Sequence, residues 1–554
     1  MITKNLKTDV LVVGSGGAAL RAALAAQEQG ADVLIASKGA IGRSGATYFS
    51  VAEVGAFNVP DGAIDPTDHP DEFYSDIMDA AQGMADCRLA RIVADEAIPA
   101  KDYLEKLGLR YARSEDGGYM GYRACFSKKT RSHVVENHFK PLVKVLREEV
   151  ARRGIQTLEG VTVTNLILRD GECAGAFGQK DGQTLAVACG SVILACGGAS
   201  TLFAHNLYPA DITGDGYAIA RRAGAVISNM EFVQAGIGLA WPSVNLFGNQ
   251  LWEAVPRITN GKGEAFIYKY VQGGCTEREA VAAKSGHFPF SVRDVSRYVE
   301  IAVQEEIKHG TPAERGGVYL DFLDVDFEEL FSRENSQLRP MWPLTYQRFK
   351  ELGVDLYREK IEIACFAHAI NGGIRTDEHG ESSIPGLYAA GEAASGPHGA
   401  DRLGGNMSVT CQVFGRRAGE AAAKRAKNRG LTDITPEEIR REEAYLASFG
   451  RLSKEGTAEI LRRLQKASDA ALLIVRDGAS LKNYLRELSE LEARLHTGHA
   501  AEPAAVETVL ELQNLLDTGR MIAESAFARR ESRGSHYRRD FPELDPDFGH
   551  MITI

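Results

Sequence analysis

Cysteine is scarce and never clustered. The eight residues Cys87, Cys125, Cys173, Cys189, Cys196, Cys275, Cys365 and Cys411 are scattered over 554 positions without a C-x-x-C pair. That spacing argues against an internal iron–sulfur cluster, a zinc site or a disulfide framework. Long apolar runs are missing too. No stretch approaches the ~20 apolar residues of a membrane span, and the chain passes from Met1 through polar residues into its first strand without a signal-like segment. A cytoplasmic protein is predicted, with a partner protein as the route to any membrane. Positive charge is not in surplus either: 64 Lys and Arg stand against 75 Asp and Glu, a net charge of −11, which disfavours a nucleic-acid role. Arg529, Arg530, Arg533, Arg538 and Arg539 are interleaved with Glu531 and Asp540 and read as an intramolecular ion-pair cluster. The H-x-x-E-x-H spacing of His133, Glu136 and His138 matches neither zincin order, so no metal site is expected.

What is present begins at Val10–Val13, an apolar strand that runs into Gly14-Ser15-Gly16-Gly17-Ala18-Ala19 and then an Ala/Leu-rich helix. The G-x-G-x-x-A pattern in strand–turn–helix context is that of a dinucleotide-binding turn. Gly14 permits the turn, Gly16 lets backbone approach a pyrophosphate, and free helix N–H groups point at the phosphates. The second strand ends at Ser37-Lys38, where an acidic ribose ligand is usual, so the turn alone leaves the dinucleotide open. Helices are expected over 83–108 and 139–153. Strands are expected over Val161–Leu168, Ala174–Phe177 and Thr184–Ala188, joined by D-G turns into a meander. The strand Ser191–Ala195 then ends in Cys196-Gly197-Gly198, which favours a flavin-binding topology over a nicotinamide one.

The predicted fold class is α/β: a Rossmann-like dinucleotide-binding domain with an inserted α+β capping domain and a C-terminal helical domain. The expected divisions are 1–230 and 361–431 for the binding domain, 231–360 for the cap and 432–554 for the helical part, read as a three-helix bundle. The insert is marked by a break in αβ rhythm, and the return by the strand that ends at Ala390-Gly391-Glu392.

Further blocks run in order along the chain: Thr213-Gly214-Asp215-Gly216, Met230-Glu231-Phe232-Val233-Gln234, Arg293-Asp294, His368 with Gly372-Gly373, His398-Gly399-Ala400-Asp401-Arg402-Leu403-Gly404-Gly405-Asn406, and Arg530-Glu531-Ser532-Arg533-Gly534-Ser535-His536. Together with the opening turn they resemble, over nearly the whole length, the flavoprotein subunits of succinate dehydrogenase and fumarate reductase, with L-aspartate oxidase as a close relative. The resemblance implies FAD. It puts Gly14, Ser15, Gly16, Gly17 and Ala18 at the pyrophosphate, Ser37 and Lys38 at the adenosine side, and Ser44, Gly45 and Ala46 at the isoalloxazine. Val163, Asp215, Glu392, Asn406, Met407 and Ser408 complete the cofactor contacts. Many respiratory members tether flavin through the histidine of an R-S-H-T motif. Here Arg43-Ser44-Gly45-Ala46 stands in its place, which implies non-covalent FAD.

The implied chemistry is hydride transfer between flavin and an activated C–C bond beside a carboxylate. By the same likeness Arg402 forks onto that carboxylate, His368 hydrogen-bonds it, Arg293 transfers the proton and Glu253 relays it. Two departures stand out. The family's next relay arginine is Pro256 here, with Arg257 one residue on. Where the family reads F-H-P-T after Gln234, with a threonine in its T-E-A motif, this chain has Gly236 and Trp252. Two polar ligands for a distal carboxylate are thus replaced, and burying a carboxylate unpaired costs several kcal/mol. The implied substrate therefore carries one carboxylate and a bulkier or less charged far end. Partners expected are that small carboxylate substrate and an iron–sulfur electron-transfer subunit, in an oligomer or hetero-complex. Two alternatives stand beside this reading: an amino-acid oxidase like L-aspartate oxidase, and an electron-transfer flavoprotein subunit without catalysis.

Overall fold

The computed structural model describes residues 2–49, 54–114, 116–334, 336 and 338–554. Its centre is a seven-stranded sheet. β1 (Ile2–Val13) leads through the glycine turn into helix α1 (Gly17–Glu28) and back to β2 (Val33–Ser37), which pairs parallel to β1 with Val10 opposite Val33. β3 (Gln156–Glu159) adds to the outer edge of β2. β4 (Thr162–Arg169), β5 (Glu172–Lys180) and β6 (Gln183–Leu194) form the meander. Alternation divides β1 between two cores: Val10 and Val12 pack with α1, Leu11 and Val13 with residues of the meander and beyond.

β6 is one continuous strand where the sequence suggests two. All of it lies parallel to β1, its first half pairs with β5, and its end pairs with β11, a later strand defined below. This delivers Ala195-Cys196-Gly197 to the same sheet end as the β1 turn. Helix α2 (Asp215–Arg222) follows.

The cap is built on an antiparallel sheet of β7 (Val233–Trp241), β8 (Arg257–Thr259), β9 (Val318–Asp321) and β10 (Ile361–Ile370), with helix α3 (Arg297–His309) against it. β10 is hydrogen-bonded to β7 and β9, so the break expected at 360 falls at the start of a cap strand. The chain then returns through β11 (Leu387–Ala389), parallel to β6, and α4 (Asn406–Arg429) packs on α1. Beyond 432 come four helices: Pro436–Ala447, then α5 (Lys454–Leu472), α6 (Gly478–Thr497) and α7 (Val506–Ala528). The first is additional to the expected three-helix bundle, and only Glu442 of its residues is buried. Among the described residues, no helix is long and apolar enough to cross a membrane. The basic residues near the C-terminus are an internal ion-pair cluster, with Arg529 and Arg533 both paired to buried Glu531.

Candidate active site

A cavity of about 1240 Å³ opens from the α1 N-terminus to the cap. It exceeds the ~300–1,000 Å³ of an ordinary ligand pocket, leaving room for a cofactor and a substrate together. At its nucleotide end the Gly14 N–H donates to the Ala36 carbonyl at 2.8 Å. Gly14 has φ +120°, and a Cβ there would lie 2.2 Å from the Ala195 carbonyl oxygen, so no other residue fits. Gly16 starts α1 without a capping side chain, leaving the positive end of the helix toward the cavity. Ser37 Oγ lies 3.0 Å from Ser15 Oγ, which lies 3.2 Å from Ser44 Oγ. Lys38 pairs with Asp215 at 2.9 Å and Glu511 at 2.8 Å. Burial opposes its charge, but Asp215 and then Glu511 raise its pKa above the ordinary lysine value. Asp215 also accepts from Asn514 of α7 at 2.8 Å. A glycine lip, a helix N-terminus and a held ammonium suit a pyrophosphate with an adenosine arm.

In the middle, Gly17, Ala18, Val163, Ala46, Met407 and Ser408 join the lining. The Gly45 N–H donates to Asp211 Oδ2 at 2.9 Å. Gly45 has φ +77°, a conformation that strains an L side chain. Glu392 is buried, and burial lifts its pKa to about 7 against the Ile370 N–H, which donates to it at 3.0 Å, and against the charge of Arg402.

The far end holds His368, Arg402 and Glu253. Ala369 pairs with Gln234 and Ala367 with Ala235, so His368 is the extra residue of a β-bulge, a device that turns a side chain out of the regular alternation. Its ring packs edge-on between Tyr208, at 5.5 Å, and Phe288, at 5.6 Å. Burial and then the Arg402 charge lower its pKa to about 3, and its buried Nδ1 has no partner among the described residues. Arg402 is clamped by Gln234: Arg402 Nε donates to Gln234 Oε1 at 3.0 Å, and Gln234 Nε2 donates to the Arg402 carbonyl at 3.2 Å. Glu253 accepts the Leu338 N–H at 2.9 Å.

Arg293, Gly236, Trp252 and Asn406 do not line this cavity. The Arg293 guanidinium lies over the Phe126 ring, pairs with Asp401 at 3.3 Å and donates to the Asp79 carbonyl at 3.2 Å. Trp252 is buried against Phe247, and its neighbour Glu253 takes the cavity-facing place. Gly236 is covered by Phe288. Asn406 Oδ1 accepts from the buried Asn58 amide. Arg257 does not line the cavity either; it is paired with Asp321 and Asp324, each at 3.2 Å. Sequence reasoning misses Gln234, Tyr208, Asp211 and Phe288 as site residues. Gln234 closes the Met230–Gln234 block and is findable there, whereas Phe288 sits in an irregular segment with no periodic signal.

Residues 9–408 match the FAD binding domain family, and residues 461–551 match the fumarate reductase flavoprotein C-terminal family. The chain is 35% identical over 565 residues to a fumarate reductase (CoM/CoB) subunit of Methanothermobacter marburgensis, covering 99% of this chain and 96% of that protein. It is 28% identical over 567 residues to the L-aspartate oxidase of Nostoc sp., covering 98% and 92%. Among solved structures, Mycobacterium smegmatis Sdh1 in complex with UQ1 matches with a TM-score of 0.83 at 27% identity, over 98% of this chain and 90% of that one. E. coli quinol fumarate reductase FrdA matches with a TM-score of 0.80 at 26% identity, over 98% and 93%. The cavity's nucleotide end fits the cofactor these relationships imply, and the chain belongs to the fumarate reductase and succinate dehydrogenase flavoprotein family, as an FAD-dependent oxidoreductase.

Proposed function

We propose that this protein transfers a hydride between FAD and the C–C double bond of a 2-enoate that carries one carboxylate at the Arg402 and His368 end and a bulkier, less charged group at the other. The observation that supports this most directly is the convergence of Arg402, His368 and Glu253 on the cavity that the α1 N-terminus opens into. Bound FAD supplies the site that gives or takes the hydride. Gly14, Ser15, Gly16, Gly17, Ala18, Ser37, Lys38, Val163, Asp215, Glu392, Met407 and Ser408 hold it without a covalent bond, because Gly45 offers no side chain for attachment. Flavin released into the supernatant on acid precipitation is the expected result; flavin retained in the pellet contradicts it.

Charge grows on the substrate carboxylate and α-carbon in the transition state. Fixed donors at that carboxylate lower the barrier more than they tighten the ground state. Arg402, aimed by Gln234, supplies a charged donor. His368 is kept neutral by burial and by Arg402, so it supplies an N–H dipole without a second positive charge. Glu253, one of the carboxyl groups lining the cavity together with Glu392, carries the proton, and Arg293 acts from outside through Asp401 as a positioning residue. Phe288 and Tyr208 bring aromatic faces to this end of the cavity, one on each side of His368.

Electrons reach the site through a separate iron–sulfur protein. In support, the 35%-identical relative is itself one subunit of a fumarate reductase. That relative's name also favours a second reading, fumarate as substrate. Steady-state reduction with a viologen donor separates the two: turnover of monocarboxylic enoates with little fumarate turnover supports the first, and fast fumarate turnover the second. Hydrogen peroxide release on adding amino acids would instead point to an oxidase.

A further inference from the structure

Phe288 enters the cavity beside His368, and three features hold it there. Gly236 is the first. A Cβ at that position would lie 2.5 Å from the Phe288 carbonyl oxygen and 3.0 Å from its ring, so glycine is what lets the segment close on β7. The backbone is the second: the Phe290 N–H donates to the Ala235 carbonyl at 2.7 Å, and Gly236 and Pro289 form an antiparallel bridge. Residues 288–290 are thereby fixed along the sheet that carries His368.

The third is Lys284, a lysine 1% exposed. Its ammonium donates to the His287 and Phe288 carbonyls at 3.1 and 3.0 Å and pairs with fully buried Glu300 at 2.5 Å. Burying an ion pair carries a desolvation cost that a plain apolar core avoids, and specifying a unique conformation is a use such pairs can serve. Here the ammonium's hydrogen bonds go to the two residues that set the place of the Phe288 ring.

We infer that Phe288 is the specificity-determining residue of the site, and that its ring selects 2-enoates bearing an aryl or branched alkyl group on the distal carbon over those bearing a second carboxylate. This rests on the enoate reading above. Although Asn249, Gln250 and Ser285 also line this cavity, the Phe288 ring itself offers a second carboxylate no donor, whereas an aryl or alkyl group gains dispersion and apolar burial against it. Lys284 and Glu300 act through Phe288 and are positioning residues.

The test uses holoenzyme with 3-phenylpropanoate and succinate as non-reducible probes, their affinities read from the perturbation of the flavin absorption spectrum. Wild type is expected to bind 3-phenylpropanoate about tenfold or more tightly than succinate. Phe288→Ala should erase most of that ratio, and Phe288→Tyr should keep it. In turnover, the alanine variant should raise KM for cinnamate while kcat changes little. The double variant Lys284→Met with Glu300→Leu, which removes the pair without orphaning a charge, should shift the ratio in the same direction. Should Phe288→Ala lose its flavin, Phe288→Leu and the double variant decide. A flavin-loaded variant lacking the ring or the pair that keeps the wild-type ratio overturns the inference and leaves the enoate reading standing. A wild type that binds succinate more tightly overturns both.

Discussion

Arg402, His368 and Glu253 differ in what each can do because their surroundings differ. Gln234 occupies one edge of the Arg402 guanidinium and Leu403 accepts from Nη1 at 3.2 Å, which fixes the fork before any substrate arrives. Removing the charge by Arg402→Gln should lower kcat/KM by about 10³-fold or more, with flavin content unchanged. Gln234→Ala should cost less and should raise KM as well as lower kcat, since it loosens the fork without deleting it. For Glu253→Gln, loss of the proton carrier predicts a fall in kcat of about 10²-fold or more with little change in substrate affinity. An unchanged kcat would place proton transfer on another group.

Glu392 carries a pH signature of its own. Its pKa is lifted from 4.5 to about 7 by burial, so the folded protein keeps a proton that the unfolded chain releases. Stability should therefore fall as pH rises from about 4.5 to about 7 and then level off. In flavin-stripped protein, Tm of wild type should drop relative to Glu392→Gln across that window. Parallel Tm curves would show that Glu392 is ionised there at no cost.

Among the elements, the β1 turn and the β7–β10 bulge do different jobs for the same cavity. The turn is sterically determined: Gly14→Ala places a methyl where the Ala195 carbonyl already sits, and the purified variant should contain little or no flavin by absorbance. A full flavin complement would mean that β1 and β6 can separate there. The turn is legible in the sequence because its glycines answer to one local geometry. The bulge is not, since it arises from the pairing of β7 with β10, strands more than a hundred residues apart. The same holds for β6, whose Cys189-Gly190 reads as a break between strands, although Cys189 and Ser191 pair with Thr8 and Val10 of β1 and β11 then takes up Val192–Leu194. Arg293 and Trp252 fall outside the cavity for a related reason. Motif position sets where a Cα lies, but Asp401, Phe126 and Phe247 set where those side chains go.

At the scale of the whole molecule, the C-terminal helix α7 supports the nucleotide end of the cavity from behind. Glu511 and Asn514 on α7 reach Lys38 and Asp215 across more than two hundred and ninety residues of sequence. A hydrogen bond to a charged group is worth ~1.5–3 kcal/mol, so Asn514→Ala should weaken FAD binding to apoprotein by about tenfold or more. Titration of apoprotein with FAD, followed by fluorescence quenching, measures it, and an unchanged Kd would make α7 a bystander.

The central claim is that this site reduces or forms the double bond of an acid with one carboxylate. Its most direct test is anaerobic: photoreduce the holoenzyme, mix it in a stopped-flow instrument with cinnamate, a branched 2-enoate or fumarate, and follow flavin reoxidation. The account predicts fast reoxidation by the monocarboxylic enoates and slow reoxidation by fumarate. Reoxidation by fumarate faster than by any of the others would contradict it.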